Sequence, residues 1–182
     1  MGNDLDNRFW YVVSVKSGSE LKIVNRLNFE LAHTDIETFI PQKTCIYRRQ
    51  GVKTEFKQIC FPGYIFIQSN ISAIEFRQAF LPVASRITDF FKILHYGDQR
   101  SDITMRKEEV EKLSNIIGSK FLIDISKIYK NGDFIKIVSG SLLGQEGIIK
   151  RIMSQKKVAV IEITMFNKPI EVVVALEFIK YG

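Results

Sequence analysis

Apolar positions recur along the chain with two periods, and the changes of period divide it into elements. Phe9-Trp10-Tyr11-Val12-Val13-Ser14-Val15 is an aromatic and β-branched run that predicts a central strand. Leu21, Val24, Leu27 and Leu31 then fall at helical spacing, and Ser17 with Glu20 has the spacing of a capping box. A helix to about Leu31 is expected, followed by a short strand over 37–40 that stops at Pro41. Runs at 44–48 and 52–59 flank Arg49-Gln50-Gly51 and predict a β-hairpin with a basic tip. Phe61-Pro62-Gly63-Tyr64 re-enters the sheet and continues as Ile65-Phe66-Ile67. Ser72 with Glu75 forms a second capping box, and Ile71 with Phe76 a hydrophobic staple, opening a helix that Pro82 should end. A strand is expected over 87–94, then a third helix capped by Thr104, with Val110, Leu113 and Ile117 inward and Gly118 as its stop.

Beyond residue 128 the helical period disappears. Short strands are expected at 134–138, 147–152, 158–164 and 170–174, separated by glycine turns. The fold class read from this order is α+β, an N-terminal antiparallel sheet covered by helices over 9–118. A connector over 119–128 follows, then a small all-β barrel over 129–182, a closure that removes exposed strand edges. The connector holds Phe121, Leu122, Ile123, Ile125 and Ile128, so it is no free Gly/Ser tether. Val158-Ala159-Val160-Ile161-Glu162-Ile163-Thr164 is rich in β-branched residues, which disfavour helix, so a stable barrel is expected.

Composition narrows the classes. A hydrophobic fraction of 46% and a charged fraction of 25% over 182 residues are those of a globular chain. The net charge of +6 suits a polyanionic partner. It is denser at the C-terminal end, where residues 128–182 hold 8 Lys/Arg against 5 Asp/Glu. Cys45 and Cys60 are too few for a disulfide framework and lack zinc spacing, and His33 and His95 stand far apart. No nucleophile elbow or phosphate loop occurs, so neither catalysis, a metal nor a cofactor is expected. No run reaches the roughly 18 apolar residues of a membrane helix, and the start lacks a signal peptide, so a cytoplasmic chain is expected. No feature demands more than a monomer.

Two segments carry a resemblance. Trp10-Tyr11-Val12-Val13, Phe61-Pro62-Gly63-Tyr64 and the helix after Thr104 resemble the N-terminal (NGN) domain of the NusG family of transcription factors. Gly132-Asp133, Gly140-Ser141-Leu142-Leu143-Gly144-Gln145-Glu146-Gly147 and Phe166 resemble a KOW domain. The resemblance implies a non-enzymatic elongation factor whose first domain docks on the clamp helices of RNA polymerase. The docking surface would fall on Trp10, Phe61, Pro62, Gly63 and Tyr64, since rigid aromatics make good interface anchors. Trp10 and Phe61 are as well read as core residues, whereas Tyr64, with its polar tip, is the best single interface candidate.

Three features turn the reading toward specialised antiterminators, which RfaH and LoaP exemplify. Ser141-Leu142 stands where general factors usually carry Pro-Phe, which weakens an expected contact with Rho or the ribosome, although Phe166 matches its second aromatic. Arg48, Arg49, Lys53 and Lys57 on the hairpin are candidates to grip the displaced DNA strand or upstream duplex through phosphates, and the resemblance to RfaH-type proteins adds Lys16, before the first helix, as a DNA contact. Lys150, Arg151, Lys156 and Lys157 flank a turn at Met153-Ser154-Gln155 and are candidates for a nascent RNA hairpin. Charged, solvated loops account for both sets as well. The alternatives are a general NusG factor coupling polymerase to ribosome or Rho, and a KOW protein of the ribosome.

Overall fold

The computed structural model describes residues 8–98, 100–131 and 134–179; the Gly132-Asp133 pair and the side chain of Lys130 lie outside them. The chain forms strands β1 (Phe9–Val15), β2 (Ile36–Phe39), β3 (Gln42–Arg49), β4 (Val52–Ile59), β5 (Tyr64–Ser69) and β6 (Phe90–Ile93). Further on come β7 (Leu122–Ile123), β8 (Ser126–Asn131), β9 (Phe134–Ser139), β10 (Ile149–Met153), β11 (Val158–Met165) and β12 (Lys168–Ile179). The helices are α1 (Glu20–Glu30), α2 (Ala73–Ala84) and α3 (Lys107–Ile117). They divide into two compact units, Met1–Ile40 with Phe61–Glu111, and Pro41–Cys60 with Lys112–Gly182. The hairpin β3–β4 therefore groups with the C-terminal strands, across the boundary at 118 drawn from sequence.

In the first unit the aromatic, β-branched β1 is central in an antiparallel sheet of order β2-β5-β1-β6. Strand alternation sends Tyr11, Val13 and Val15 to one face, where Ile23 and Leu27 of α1 and Phe76 and Phe80 of α2 complete a core. Tyr11 stacks on Phe76 at 3.9 Å between ring centroids, and Phe76 on Phe80 at 5.0 Å. Trp10, Phe39 and Phe66 share the opposite face as a second aromatic cluster.

Several local expectations are corrected. The N-cap of α1 is Ser19, not Ser17, and no side chain caps it: the Ser19 hydroxyl donates to Asp89 (2.8 Å), and Glu20 is buried elsewhere. Leu21 faces solvent, because Glu20, Ile23 and Leu27 take the inward positions. α2 has its capping box on Ser72 and Glu75 but runs through Pro82 to Ala84. Proline in the last turn forfeits a single helical bond, and Ser85 still donates to the Leu81 carbonyl at 2.9 Å. The strand expected over 87–94 shrinks to 90–93, since Ile87 and Phe90 donate to Ala84 and Ile87 carbonyls in turns. Thr104 stands three residues ahead of α3 and so is not its N-cap.

In the second unit a sheet of order β10-β11-β12-β8-β9 is accompanied by a three-stranded sheet, β4-β3-β7. β12 joins the parts of the larger sheet: residues 168–175 pair antiparallel with β11, and 176–179 pair parallel with β8. The segment 119–128 thus holds β7 and the start of β8. Gly140 is required where it stands: its φ is +95°, and a Cβ there would lie 2.3 Å from the Ile125 carbonyl oxygen. The loop after it is tied back by Leu142 N–H donating to Ser126 Oγ (2.9 Å) and Asp124 N–H to Ser141 Oγ (2.8 Å).

Candidate functional site

The turn before β5 is held from three sides. Gly63 has φ +83°, so its carbonyl can accept from Val15 N–H (2.9 Å) while its own N–H donates to Glu20 Oε1 (2.7 Å). Glu20 Oε2 accepts from Gly18 N–H at 2.7 Å. This carboxylate is 1% exposed, so two charge-assisted bonds to backbone replace its hydration. Nothing in the chain pattern marked Glu20 for this; it read as a helix cap.

The turn presents only part of the expected docking set. Phe61 is buried 5.5 Å from Phe66, and Trp10 is buried edge-on to Phe39 at 5.0 Å, so both are core. Pro62 is exposed and Gly63 and Tyr64 are half-buried, which makes these three the surface of the turn. Lys16 is exposed at the end of β1, in the same unit, its N–H donating to Asp89 O (2.8 Å).

The hairpin turns on Gln50 (φ +50°) and Gly51 (φ +81°), the left-handed pair that a two-residue connection needs. Arg48 and Arg49 lie opposite Lys53 and Val52, and all four are exposed. Lys57 pairs with Thr44, about 20 Å along the strand from the turn, and so is not a tip residue. Lys53 is occupied: its Nζ lies 2.8 Å from Glu55 and 3.5 Å from Glu177 of β12. The bond to Glu55, backed by the charge of Glu177, holds this ammonium above its ordinary pKa.

The C-terminal quartet separates into two pairs. Lys150 meets Glu162 at 3.2 Å and Arg151 meets Glu171 at 3.4 Å, so each has a carboxylate of β11 or β12 beside it in an exposed ion pair. Lys156 and Lys157 occupy the turn itself, are exposed, and form no ion pair among the described residues. Their backbone is pinned: Lys156 N–H donates to Met153 O, Lys157 N–H to Ser154 O, and Leu176 N–H to Lys157 O. Beside them is a cleft of about 200 Å³ within the same unit, lined also by Lys43 and Arg48 of β3. Lys43, which donates to Val173 O at 2.9 Å, was not marked by the sequence; a basic residue inside a strand carries no signal of its own.

Leu142 is fully buried and Phe166 nearly so. Burial pushes the Cys60 thiol up to about 12, so it is not a thiolate at neutral pH. Among the described residues no three His, Cys, Asp or Glu side chains gather as metal ligands, and no helix is long and apolar enough to cross a membrane.

Residues 8–114 match the family model described as transcription termination factor nusG. The chain is 26% identical over 181 residues to the transcription termination/antitermination protein NusG of Thermus thermophilus, covering 93% of this chain and 95% of the relative. The NusG of Streptococcus pyogenes serotype M1 is 23% identical over 160 residues, covering 84% and 86%. A solved structure titled "Domain interaction in Thermotoga maritima NusG" has the same fold, with TM-score 0.54 at 19% identity, over 94% of this chain and 95% of that one. Fold and family match together define a non-enzymatic transcription factor. The chain belongs to the NusG family and is a NusG-type transcription termination/antitermination factor.

Proposed function

We propose that this protein is a specialised antiterminator of the kind RfaH and LoaP represent, holding RNA polymerase through its first domain and nucleic acid through basic residues of its second. Residues 9–118 would act as the polymerase-binding part and 129–182 as the second binding part. The polymerase contact falls on Pro62, Gly63 and Tyr64, a turn made rigid by Glu20, against the clamp helices. Trp10 and Phe61, both buried against Phe66, belong to the aromatic core rather than to the contact. The observation that carries the nucleic-acid contact is the pair Lys156 and Lys157, exposed in a pinned turn and in no ion pair among the described residues, while Lys150 and Arg151 each face a carboxylate. A phosphate backbone is the partner that such a pair positions best, and a nascent RNA hairpin presents one close to the polymerase.

The specialised reading over the general one is favoured by the burial of Leu142 and Phe166, which leaves neither side chain presented for Rho or a ribosomal protein. The mechanism is linkage. A factor that binds the elongating polymerase more tightly than its paused or terminating form shifts that equilibrium by its differential affinity. A second grip on RNA raises its effective concentration at the target.

The test is binding of the full chain to core polymerase and to structured leader RNAs, with Tyr64→Ala and with Lys156→Ala/Lys157→Ala. Tyr64→Ala should weaken polymerase binding alone, and the double variant RNA binding alone. Selective RNA binding that survives the double variant would remove this turn from the site. RNA binding that ignores structure and vanishes at modest salt would leave the general NusG factor as the reading.

A further inference from the structure

We infer that the hairpin β3–β4 and the β10–β11 turn are the two walls of one site that grips a single sugar–phosphate backbone, an inference that rests on the nucleic-acid contact proposed above. From sequence the two basic segments stand a hundred residues apart and read as separate contacts, one for DNA and one for RNA. In the fold, Lys43 and Arg48 line the same cleft as Lys156 and Lys157, over a floor of Ile46, Val158 and Val174. No carboxylate is among its lining residues. Four cations around one depression would repel one another unless an anion entered, so the arrangement is poised for a polyanion.

Two bonds hold the walls together. Lys43 Nζ donates to the Val173 carbonyl of β12 at 2.9 Å, and Lys53 meets Glu177 of the same strand at 3.5 Å. The cleft is therefore preorganised on β12, whose Val174 and Ala175 line it. At about 200 Å³ it is smaller than the roughly 300 Å³ at which small-molecule pockets begin, so a passing backbone fits it better than a free nucleotide. Lys53 belongs to the clip that places the hairpin. It is a positioning residue, and its own charge is spent on Glu55 and Glu177.

The experiment uses the full chain with two fluorescent probes, an RNA stem-loop and a forked DNA duplex, each titrated over a salt series. The variants are Arg48→Gln, Lys156→Gln/Lys157→Gln, and their combination. One shared site predicts that both variants weaken the same probe. The log–log salt slope should fall by about one for Arg48 and about two for the lysine pair. It also predicts that the combination departs from additivity and that unlabelled DNA displaces bound RNA. Glu177→Gln should lower affinity while leaving the slope unchanged, the signature of a positioning contact. Simultaneous binding of both probes, or loss of DNA alone with Arg48 and of RNA alone with the lysine pair, overturns the single site and leaves the nucleic-acid reading standing. Binding of both probes unchanged in every variant overturns both.

Discussion

Glu20 shows how one side chain can be read from sequence for the wrong task. A glutamate opening a helix is most simply a cap, yet its two oxygens accept from Gly18 and Gly63 and fix the turn that carries Pro62 and Tyr64. Glu20→Ala leaves two backbone donors unsatisfied in a buried place and should cost about 2–4 kcal/mol by urea denaturation. Glu20→Gln keeps one acceptor and should cost less. Equal losses in the two would place the effect in packing rather than in the bonds. The buried phenols and thiol set a limit at alkaline pH. Burial, opposed by a bond from Thr104, raises Tyr11 from 10.0 to about 12, and burial raises Cys60 from 9.0 to about 12. Burial and then the bond to Glu109 push Tyr96 up as well. Each neutral form is favoured in the folded state, so its contribution is fully present below the unfolded value and is lost as pH rises through the folded one. The urea midpoint should hold to about pH 9 and fall steadily toward pH 12. A flat profile over that range would contradict the burial of these groups.

Elements answer to local rules until a neighbour offers something stronger. The Ser72–Glu75 box caps α2 as its spacing requires: both partners are exposed, and each bonds the other's backbone N–H. Ser17 and Glu20 have the same spacing and form no box, since α1 begins after Ser19 and both oxygens of Glu20 accept from Gly18 and Gly63. Gly140 marks where an element tolerates no substitution. Its positive φ and a Cβ position 2.5 Å from Ser126 Cα mean that Gly140→Ala must move backbone. A loss of about 3 kcal/mol or more is expected in thermal unfolding, against about 1 kcal/mol for Gly51→Ala, where a Cβ meets nothing. Similar costs at the two glycines would contradict the close approach of the Gly140 loop to β8.

At the scale of the whole molecule, the C-terminal strands begin before the boundary that the change of period suggests, β8 starting at Ser126. Ser126 pairs with Leu176, and its hydroxyl holds the Gly140–Leu142 loop. A fragment of residues 124–182 should give a β-type far-UV circular dichroism spectrum and a cooperative melt. One starting at residue 129 should lose the melt. A helical spectrum from the longer fragment would contradict a stable barrel, and equal stability of the two would contradict the role of Ser126. The units also redistribute the candidate sites: Lys16 shares a unit with the Pro62–Tyr64 turn, while the hairpin shares one with Lys156 and Lys157.

The chain by itself determined the strands with strong alternation, the hairpin and its turn, the α2 cap and the family, because each depends on side-chain period or on local bonds between near neighbours. The exposed Lys156 and Lys157 were legible for the same reason: a turn of polar residues between two strands cannot be buried. The polar tip of Tyr64 already favoured it as the interface residue, but only the tertiary structure decided that Trp10 and Phe61 are core, since that depends on which sheet face each occupies. Only it paired Lys150 and Arg151 with carboxylates 12 and 20 residues away, and joined Lys43 to the cleft through β12. Charge can be counted along a sequence. Whether it stays free depends on strand register, which long-range pairing sets.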